Sequence, residues 1–318
     1  MSTPVPARPD ALTGSPDASR PGLFPRLAAE GFGSLILAVT GLGVPLFSIP
    51  QSSPMPAALA AGLAVTAAML AFGHVSGGHF NPAITLGHLL AGRIRAGAAA
   101  AYVAAQLAGA SLGALALYAV LRTLPGIADS RTAFDTVTAG FGEHSIVQAP
   151  LAAVLLLEVI GAAIIVSVFL GAAARGRANS AAAPVAVGLT FAALLQLGQA
   201  VGNLPFNPAR AAASAFFSSG WALEQLWVFL AAPLAGAAVA GLVFRTFRAG
   251  EQAGEHAVPA SGPGAESGGS TGSDVSDVSD DEGDAAPVAA PTGVVAVSRK
   301  DSDGGASEAQ EFFEGKRG

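Results

Sequence analysis

The sequence predicts an all-α membrane protein with six transmembrane helices and two re-entrant half-helices, arranged as an inverted repeat. Three observations favour this fold class. Apolar segments of spanning length recur along the chain, Phe-Asn-Pro-Ala occurs twice, and landmarks of the first half return about 127 residues later. Only 12% of the 318 residues are charged and the mean hydropathy is +0.54, whereas a soluble domain is about 25% charged. Most of the chain is therefore expected in a bilayer.

The apolar segments have the length of about 20 residues that crosses a hydrocarbon core. They predict spans at about 27–48, 57–76, 97–121, 147–173, 181–201 and 221–247. The predicted division is a disordered arm at 1–25, a membrane domain at 26–248 with halves at about 26–122 and 147–248, and a disordered acidic tail at 249–318.

Charge separates the membrane domain from the tail. Residues 250–318 hold 14 acidic and 4 basic side chains, a net charge of −10, and residues 1–249 hold 8 acidic and 12 basic, a net charge of +4. Polar, charged segments without apolar runs are expected to remain disordered. No cysteine is present, which excludes disulfides and thiolate chemistry in this chain.

Arginines indicate the orientation in the membrane. With six crossings, most of them fall on one side, and basic loops favour the cytoplasm. Both termini are therefore predicted to be cytoplasmic in a cell (plasma or inner) membrane, and the Ala- and Gly-rich composition suggests a bacterial source. The arginines on that side are Arg26, Arg93, Arg95, Arg175, Arg177, Arg245 and Arg248.

The two Phe-Asn-Pro-Ala motifs predict helix starts inside the membrane. Asn is a favoured N-cap, and Pro is favoured at the first helical position because its missing N–H is not needed there. Each half-helix would direct the positive end of its dipole at the middle of the bilayer. The motifs are Asn81-Pro82-Ala83 and Asn207-Pro208-Ala209, and the half-helices are expected at about 81–91 and 207–218.

The halves repeat one another at a nearly constant offset. Each half contains three full spans, an odd number, so the second half must be inverted in the membrane relative to the first. Inverted halves place a site at the midplane, where helices are broken. The matching landmarks are Glu30 and Glu158 at an offset of 128, Asn81 and Asn207 at 126, and Leu107 and Leu234 at 127.

The side chains at this midplane favour neutral, hydroxylic molecules. The amides of Asn81 and Asn207 can donate hydrogen bonds to a passing oxygen, and the two helix ends repel cations. Water held by both donors is expected to interrupt proton transfer. Arg210 follows the second motif directly, and an intramembrane arginine lines a cavity or has a partner. We expect it to line the pore as a selectivity residue.

Three further polar residues are expected to support the loops. Glu30 and Glu158 are interpreted as acceptors for exposed N–H groups of the irregular loops, with acid–base or proton-coupling work as the alternative. His74 is expected to steady the Gly-rich loop before the first motif. The histidines at 74, 79 and 88 lack the spacing with carboxylates or cysteines that a metal site needs, so no metal or other cofactor is predicted.

The motifs resemble the aquaporin, or major intrinsic protein, family. The resemblance rests on Gly-His-Val-Ser-Gly-Gly-His-Phe-Asn-Pro-Ala-Ile-Thr-Leu-Gly at 73–87, on Asn-Pro-Ala-Arg at 207–210 and on Gly-Trp-Ala-Leu-Glu-Gln-Leu-Trp at 220–227. It covers 26–248 and is closer to bacterial water channels than to glycerol facilitators. It implies a homotetramer, each protomer passing water or small neutral solutes passively, with no enzymatic activity and no nucleic-acid partner.

The resemblance also implies a constriction formed by Arg210 and three other positions. Ungapped spacing from the two asparagines places those three at Ala61, Leu195 and Leu204. A water-only filter of the family usually has an aromatic residue and a histidine there, and a glycerol filter has aromatics and an Asp where this chain has Ala211. We therefore expect a wider, less polar constriction that admits water and some small uncharged solutes, such as glycerol-like polyols or urea.

Two other functions remain open at this stage. A secondary transporter also uses inverted repeats and broken helices, and would need Glu30 or Glu158 for ion coupling. A structural or sensory membrane protein with a closed pore is the other alternative. An enzyme is disfavoured because no nucleophile–base pair, metal cluster or cofactor loop occurs in the sequence.

Overall fold

The computed structural model describes residues 21–48, 55–174 and 181–256. Six of its helices are long and apolar enough to cross a bilayer, and two short helices begin at the Asn-Pro-Ala motifs. The predicted fold class is confirmed. The α-helices are α1 (Leu23–Phe47), α2 (Ala57–Ser76), α3 (Pro82–Leu90), α4 (Ala96–Leu121), α5 (Ser130–Asp135), α6 (Leu151–Ala174), α7 (Ala182–Gly202), α8 (Pro208–Phe217) and α9 (Gly220–His256).

Three boundaries differ from the sequence prediction. The first span begins at Leu23 rather than near 27, so residues 23–25 of the predicted disordered arm are helical. The fourth span begins at Leu151 rather than near 147, because Gln148 has a φ of +52° that a right-handed helix does not contain. Pro150 then opens the helix, and its carbonyl accepts hydrogen bonds from the amides of Ala153 and Val154. At the other end of the domain, α9 continues to His256, although its membrane-spanning part ends at Phe247.

Glycines at matching positions of the two halves permit the closest helix crossings. A Cβ at Gly109 on α4 would collide with the carbonyl oxygen of Gly31 on α1, and one at Gly236 on α9 would collide with the carbonyl oxygen of Val159 on α6. These pairs are related by the repeat offset, so α1 packs on α4 as α6 packs on α9. Small residues are what allow helix backbones to approach closely in membranes.

The pseudo-two-fold axis passes between α2 and α7. Gly62 and Gly188 are separated by 126 residues, the offset of the two asparagines, and each approaches the other's carbonyl oxygen so closely that a Cβ would collide with it. Residues that are equivalent in the repeat and also in mutual contact must lie beside the symmetry axis. The inverted repeat predicted from the sequence is therefore visible in the packing.

The connection between the halves folds over α8. The Arg131 guanidinium donates to the Ser218 carbonyl at 2.7 Å, and the Asp135 carboxylate accepts from the Ser219 amide and hydroxyl at 2.9 and 2.6 Å. This connection contains the helix α5 and a short 3₁₀ turn at Gly142–His144. It closes one side of the domain above the end of α8.

Basic residues are distributed as the span order requires. Arg26 begins α1, Arg93 and Arg95 follow α3, and Arg245 lies at the end of the last span, all on the side where α2 ends. Arg122 and Arg131 lie on the opposite side. Arg175 and Arg177, the arm at 1–20 and the tail beyond 256 lie outside the described residues. Cytoplasmic termini remain a prediction.

Candidate functional site

The two half-helices begin as the motifs predict. The Asn81 side-chain oxygen accepts from the Ala83 amide at 2.8 Å, and that of Asn207 accepts from the amides of Ala209 and Arg210 at 3.0 and 3.3 Å. Pro82 and Pro208 occupy the first helical positions. Each asparagine thus caps its own helix.

The same asparagines also join the two halves. The Asn81 amide donates to the Phe206 carbonyl at 2.9 Å, and the Asn207 amide donates to the Phe80 carbonyl at 3.1 Å. Both phenylalanines adopt a φ of +49°, which is uncommon for a bulky residue and is held in place by surrounding structure. The reciprocal bonds set the half-helices head to head and leave each amide a second N–H without an acceptor among the described residues.

Glycines hold the two phenylalanines in this strained conformation. The ring of Phe80 fills the space that a Cβ at Gly33 would need, and the ring of Phe206 does the same at Gly161. Gly33 and Gly161 are equivalent in the repeat at an offset of 128. The motifs are therefore fixed from behind by α1 and α6, and their carbonyls and amides are positioned by packing.

The four predicted constriction positions converge on one cavity. Ala61, Leu195, Leu204 and Arg210 line a space of about 60 Å³ on the side where α7 ends. The Arg210 guanidinium donates from Nη2 to the Gly41 carbonyl at 3.3 Å. The other three positions are apolar, so Arg210 is the strong donor of this ring of four.

A smaller cavity continues from this ring toward the motifs. It measures about 20 Å³, shares Ala61, Leu195 and Arg210 with the first cavity, and is also lined by Asn207. A space of about 10–15 Å³ holds one water molecule, so this cavity has room for about one. Asn81 is fully buried and does not line it.

On the other side of the motifs a larger cavity opens. It measures about 430 Å³ and is lined by residues at the start of α1, the end of α2 and both ends of α3, including Arg26, His79, His88 and Arg93. His74 is exposed there. Cavities thus approach the opposed helix ends from both sides.

Glu30 is hydrogen-bonded to the first loop. Its carboxylate accepts four hydrogen bonds: from the Ser76 hydroxyl at 2.6 Å, the amides of His79 and Phe80 at 3.0 and 2.7 Å, and the Gln106 amide at 2.8 Å. An ionised carboxylate offers only acceptors, which suits four donors. Glu30 is therefore fully occupied, and this leaves it no free position for ion coupling.

Glu158 supports the second loop much more weakly. It accepts one bond, from the Phe206 amide at 3.2 Å, and its second oxygen is buried without a partner in the part of the chain that the structure describes. The repeat explains two of the three missing hydrogen bonds. Pro205, which has no N–H, stands where the first half has His79, and Pro233 stands where it has Gln106.

Residues that the sequence reasoning missed complete the loop support. The loop support predicted for His74 has no counterpart among the hydrogen bonds of the described residues. Instead, Tyr102 donates to the Ser76 carbonyl at 2.7 Å and accepts from Arg26 at 2.6 Å. Gln106 was the available signal, because it is the one residue of the apolar helix α4 that has an amide side chain.

The fold and the site together define a class of protein: a multi-pass membrane protein of two inverted halves whose half-helices meet at paired asparagines, with cavities on both sides. Comparison with known proteins agrees. The family model described as major intrinsic protein matches residues 18–244. The chain belongs to the major intrinsic protein family.

Two relatives support the same assignment, and one solved structure supports the fold. Aquaporin Z of Photorhabdus laumondii subsp. laumondii is 37% identical over 236 residues, which cover 71% of this chain and 99% of the relative. Aquaporin Z of Bradyrhizobium diazoefficiens is 37% identical over 224 residues, which cover 69% and 92%. The X-ray structure of the aquaglyceroporin from Plasmodium falciparum is 20% identical, covers 71% of this chain and 95% of that one, and superposes with a TM-score of 0.57; at this identity it bears on the fold alone.

Proposed function

We propose that this protein is a passive transmembrane channel for water and small uncharged solutes, and that it excludes protons and ions. The reciprocal bonds between each asparagine and the opposite phenylalanine carbonyl carry this proposal. They hold two positive helix ends and two amide donors together, next to a cavity with room for about one water molecule. The relatives named Aquaporin Z support water as one permeant.

The charge arrangement accounts for ion exclusion. A cation that reaches the motifs meets the positive ends of both α3 and α8, and on one side it must also pass the Arg210 guanidinium. A neutral hydroxylic molecule instead accepts hydrogen bonds from the free N–H groups of Asn81 and Asn207. A water oxygen that accepts from both amides is oriented by them, which interrupts a chain of proton transfer.

The composition of the constriction supports a permeant class broader than water. Ala61, Leu195 and Leu204 present no aromatic ring and no second donor beside Arg210. A site rejects a molecule most strongly when binding it would leave buried polar groups of the site without hydrogen-bond partners. The four constriction residues carry few polar groups, so they reject small uncharged solutes only weakly. Glycerol-like polyols and urea are therefore proposed to pass with water.

The commitment of Glu30 to four donors favours a channel over an ion-coupled transporter. A coupling carboxylate must change its proton or ion during the cycle, and doing so at Glu30 would break the support of the first loop. Glu158 is less occupied, but Oε2 is sealed from solvent. Flux is therefore expected to follow the solute gradient alone.

The assembly and orientation belong to the same proposal. Each protomer is proposed to carry its own pore within a homotetramer, and both termini are proposed to be cytoplasmic. Exposed apolar side chains along the spans, such as Phe32, Leu63 and Leu189, support contact with lipid or with neighbouring protomers. The channel domain is proposed to occupy 26–248, with the arm and the acidic tail outside it.

Stopped-flow light scattering of proteoliposomes tests the permeant class. Water, glycerol and urea are compared for the wild type and for the double variant Ala61→Phe/Leu195→His, which adds bulk and a polar contact to the constriction. We expect the wild type to pass all three, and the double variant to lose glycerol and urea flux while it retains water flux. Water flux with complete exclusion of both solutes by the wild type would contradict the broad permeant class.

A further inference from the structure

Two histidines that are nine positions apart in the chain meet in the larger cavity. His79 lies in the loop before α3 and His88 lies in the last turn of that helix. Their ring centroids are 4.1 Å apart with the planes tilted by 35°, and both side chains line the cavity of about 430 Å³. Phe169 meets both rings edge-on at 5.8 and 4.8 Å, which restricts their rotation.

Hydrogen bonds assign the same tautomer to both rings. Nδ1 of His88 lies 3.0 Å from the Ile84 carbonyl, which can only accept, so Nδ1 carries the proton. Nδ1 of His79 lies 3.2 Å from the Thr85 hydroxyl, whose own proton goes to the Asn81 carbonyl at 3.1 Å. His79 therefore also donates from Nδ1. In the neutral state, Nε2 of each ring bears a lone pair.

Both Nε2 atoms are open to the cavity. Neither has a hydrogen-bond partner in the described structure, and neither is among its sealed, unpartnered polar atoms. Nε2 of His79 also lies beside the exposed Gly77, because a Cβ at that position would be 3.5 Å from this nitrogen. Each ring therefore presents to the cavity an acceptor that has no donor in the described structure.

This arrangement is that of imidazoles prepared to bind a metal. Metal-binding histidines almost always donate the other ring N–H to a carbonyl or similar oxygen, which fixes the tautomer and the ring orientation. Two nitrogens at a tetrahedral zinc ion, with bonds of about 2.0–2.1 Å, are roughly 3.4 Å apart, and the centroids of their rings are then roughly 5 Å apart. The two rings, whose centroids are 4.1 Å apart, therefore separate by about 1 Å when they bind the ion.

We propose that His79 and His88 bind a borderline divalent cation, such as Zn²⁺ or Cu²⁺, through their Nε2 atoms. The described residues contain no cluster of three or more His, Cys, Asp or Glu side chains for a metal, so water completes the coordination. Arg26 and Arg93 line the same cavity and disfavour cations held by charge alone, so Mg²⁺ and Ca²⁺, which need oxygen ligands, are excluded.

The bound ion obstructs the mouth of the path on this side. His79 is two residues before Asn81, so an ion on its ring lies at the approach to the motifs. This blocking effect, unlike the binding itself, rests on the proposed channel function. Binding and flux are therefore measured separately, so that failure of the site and failure of the channel proposal are distinguishable.

Electron paramagnetic resonance of Cu²⁺ added to the full-length protein in detergent tests the binding. We expect one Cu²⁺ per chain with nitrogen couplings from two imidazoles. His88→Leu should lose this signal and weaken Cu²⁺ binding by at least about tenfold. Tenfold is the smallest loss expected when only an outer partner of a metal ligand is removed, and His88 is proposed as a ligand itself. His88→Gln serves if the leucine variant does not fold. His144→Gln is the matched control, because His144 is stacked on Trp221 at the opposite side.

Two results would overturn the site. One is a wild-type spectrum with couplings from a single imidazole that disappears in His74→Ala, since His74 is the exposed histidine of the same cavity. The other is unchanged binding in both His88 variants. For the blocking effect, Cu²⁺ should reduce water flux of the wild type and not of His88→Leu, each relative to its own flux without metal. Equal inhibition of both would refute it.

Discussion

Replacing each repeat-related glutamate by alanine should have very unequal effects on stability. Glu30→Ala removes the acceptor of three N–H donors, at His79, Phe80 and Gln106, besides the Ser76 hydroxyl. A buried donor left without a partner costs about 1–3 kcal/mol, so the loss is roughly 3–9 kcal/mol. Glu158→Ala leaves one donor, the Phe206 amide, and should cost about 1–3 kcal/mol.

The comparison is controlled by the repeat itself. Both substitutions delete the same atoms at fully buried, equivalent positions, so the cavity contribution is similar and the difference reports the hydrogen bonds. The free energy of unfolding is measured by reversible denaturation in mixed micelles, followed by circular dichroism. If Glu30→Ala does not fold, Glu30→Gln, which keeps one acceptor oxygen, provides a milder comparison. Equal losses for the two alanine variants would refute the reasoning.

Three further predictions follow from single contacts. Arg210→Leu should raise proton and cation leakage into dye-loaded vesicles more than tenfold relative to the control variant Arg131→Gln. The reason is that unit charges about 4 Å apart interact by about 4 kcal/mol near a protein surface. Unchanged leakage would contradict the role of Arg210. Gly109→Val should lower the thermal unfolding temperature sharply, because the new side chain collides with Gly31. Gly97→Ala should leave that temperature unchanged, because no neighbour lies within 4 Å of a Cβ at this position. Similar changes in unfolding temperature for the two variants would refute close packing at Gly109. Gln225→Leu should lower the free energy of unfolding by about 1–3 kcal/mol. The reason is that the Gln225 side chain accepts a hydrogen bond from the Phe141 amide and donates one to the Phe141 carbonyl. An unchanged free energy of unfolding would argue against a stabilising role for these two bonds.

The local rules of helix formation explain what the sequence predicted. Asn followed by Pro specifies a helix start wherever it occurs, so both half-helices begin within one residue of the expected position. Span length is set by the bilayer, and close crossings require small residues. The glycines at 109 and 236 could therefore be assigned to packing without coordinates.

The asymmetry between the glutamates was present in the sequence but needed the repeat to be followed one step further. Aligning His79 with Pro205 and Gln106 with Pro233 removes two donors from the second half. Without that alignment, Glu30 and Glu158 seem equivalent, and both were assigned the same supporting role. The structure distinguishes a carboxylate with four donors from one with a single donor.

Long-range contacts without periodicity could not be predicted. His79 and His88 meet only because the loop turns back over α3, and no spacing rule relates a loop residue to the last turn of the following helix. The connection above α8 likewise depends on single bonds between residues more than 80 positions apart, such as Arg131 to Ser218. Such contacts follow from the assembled fold, which local propensity does not specify.

The initial rate of water flow into proteoliposomes, measured as a function of the osmotic gradient, tests the central claim most directly. Two opposed half-helices that leave a permanent path predict a rate above that of protein-free vesicles, linear in the gradient and independent of any proton or sodium gradient. A rate equal to that of protein-free vesicles, or one that requires an ion gradient, would contradict the account.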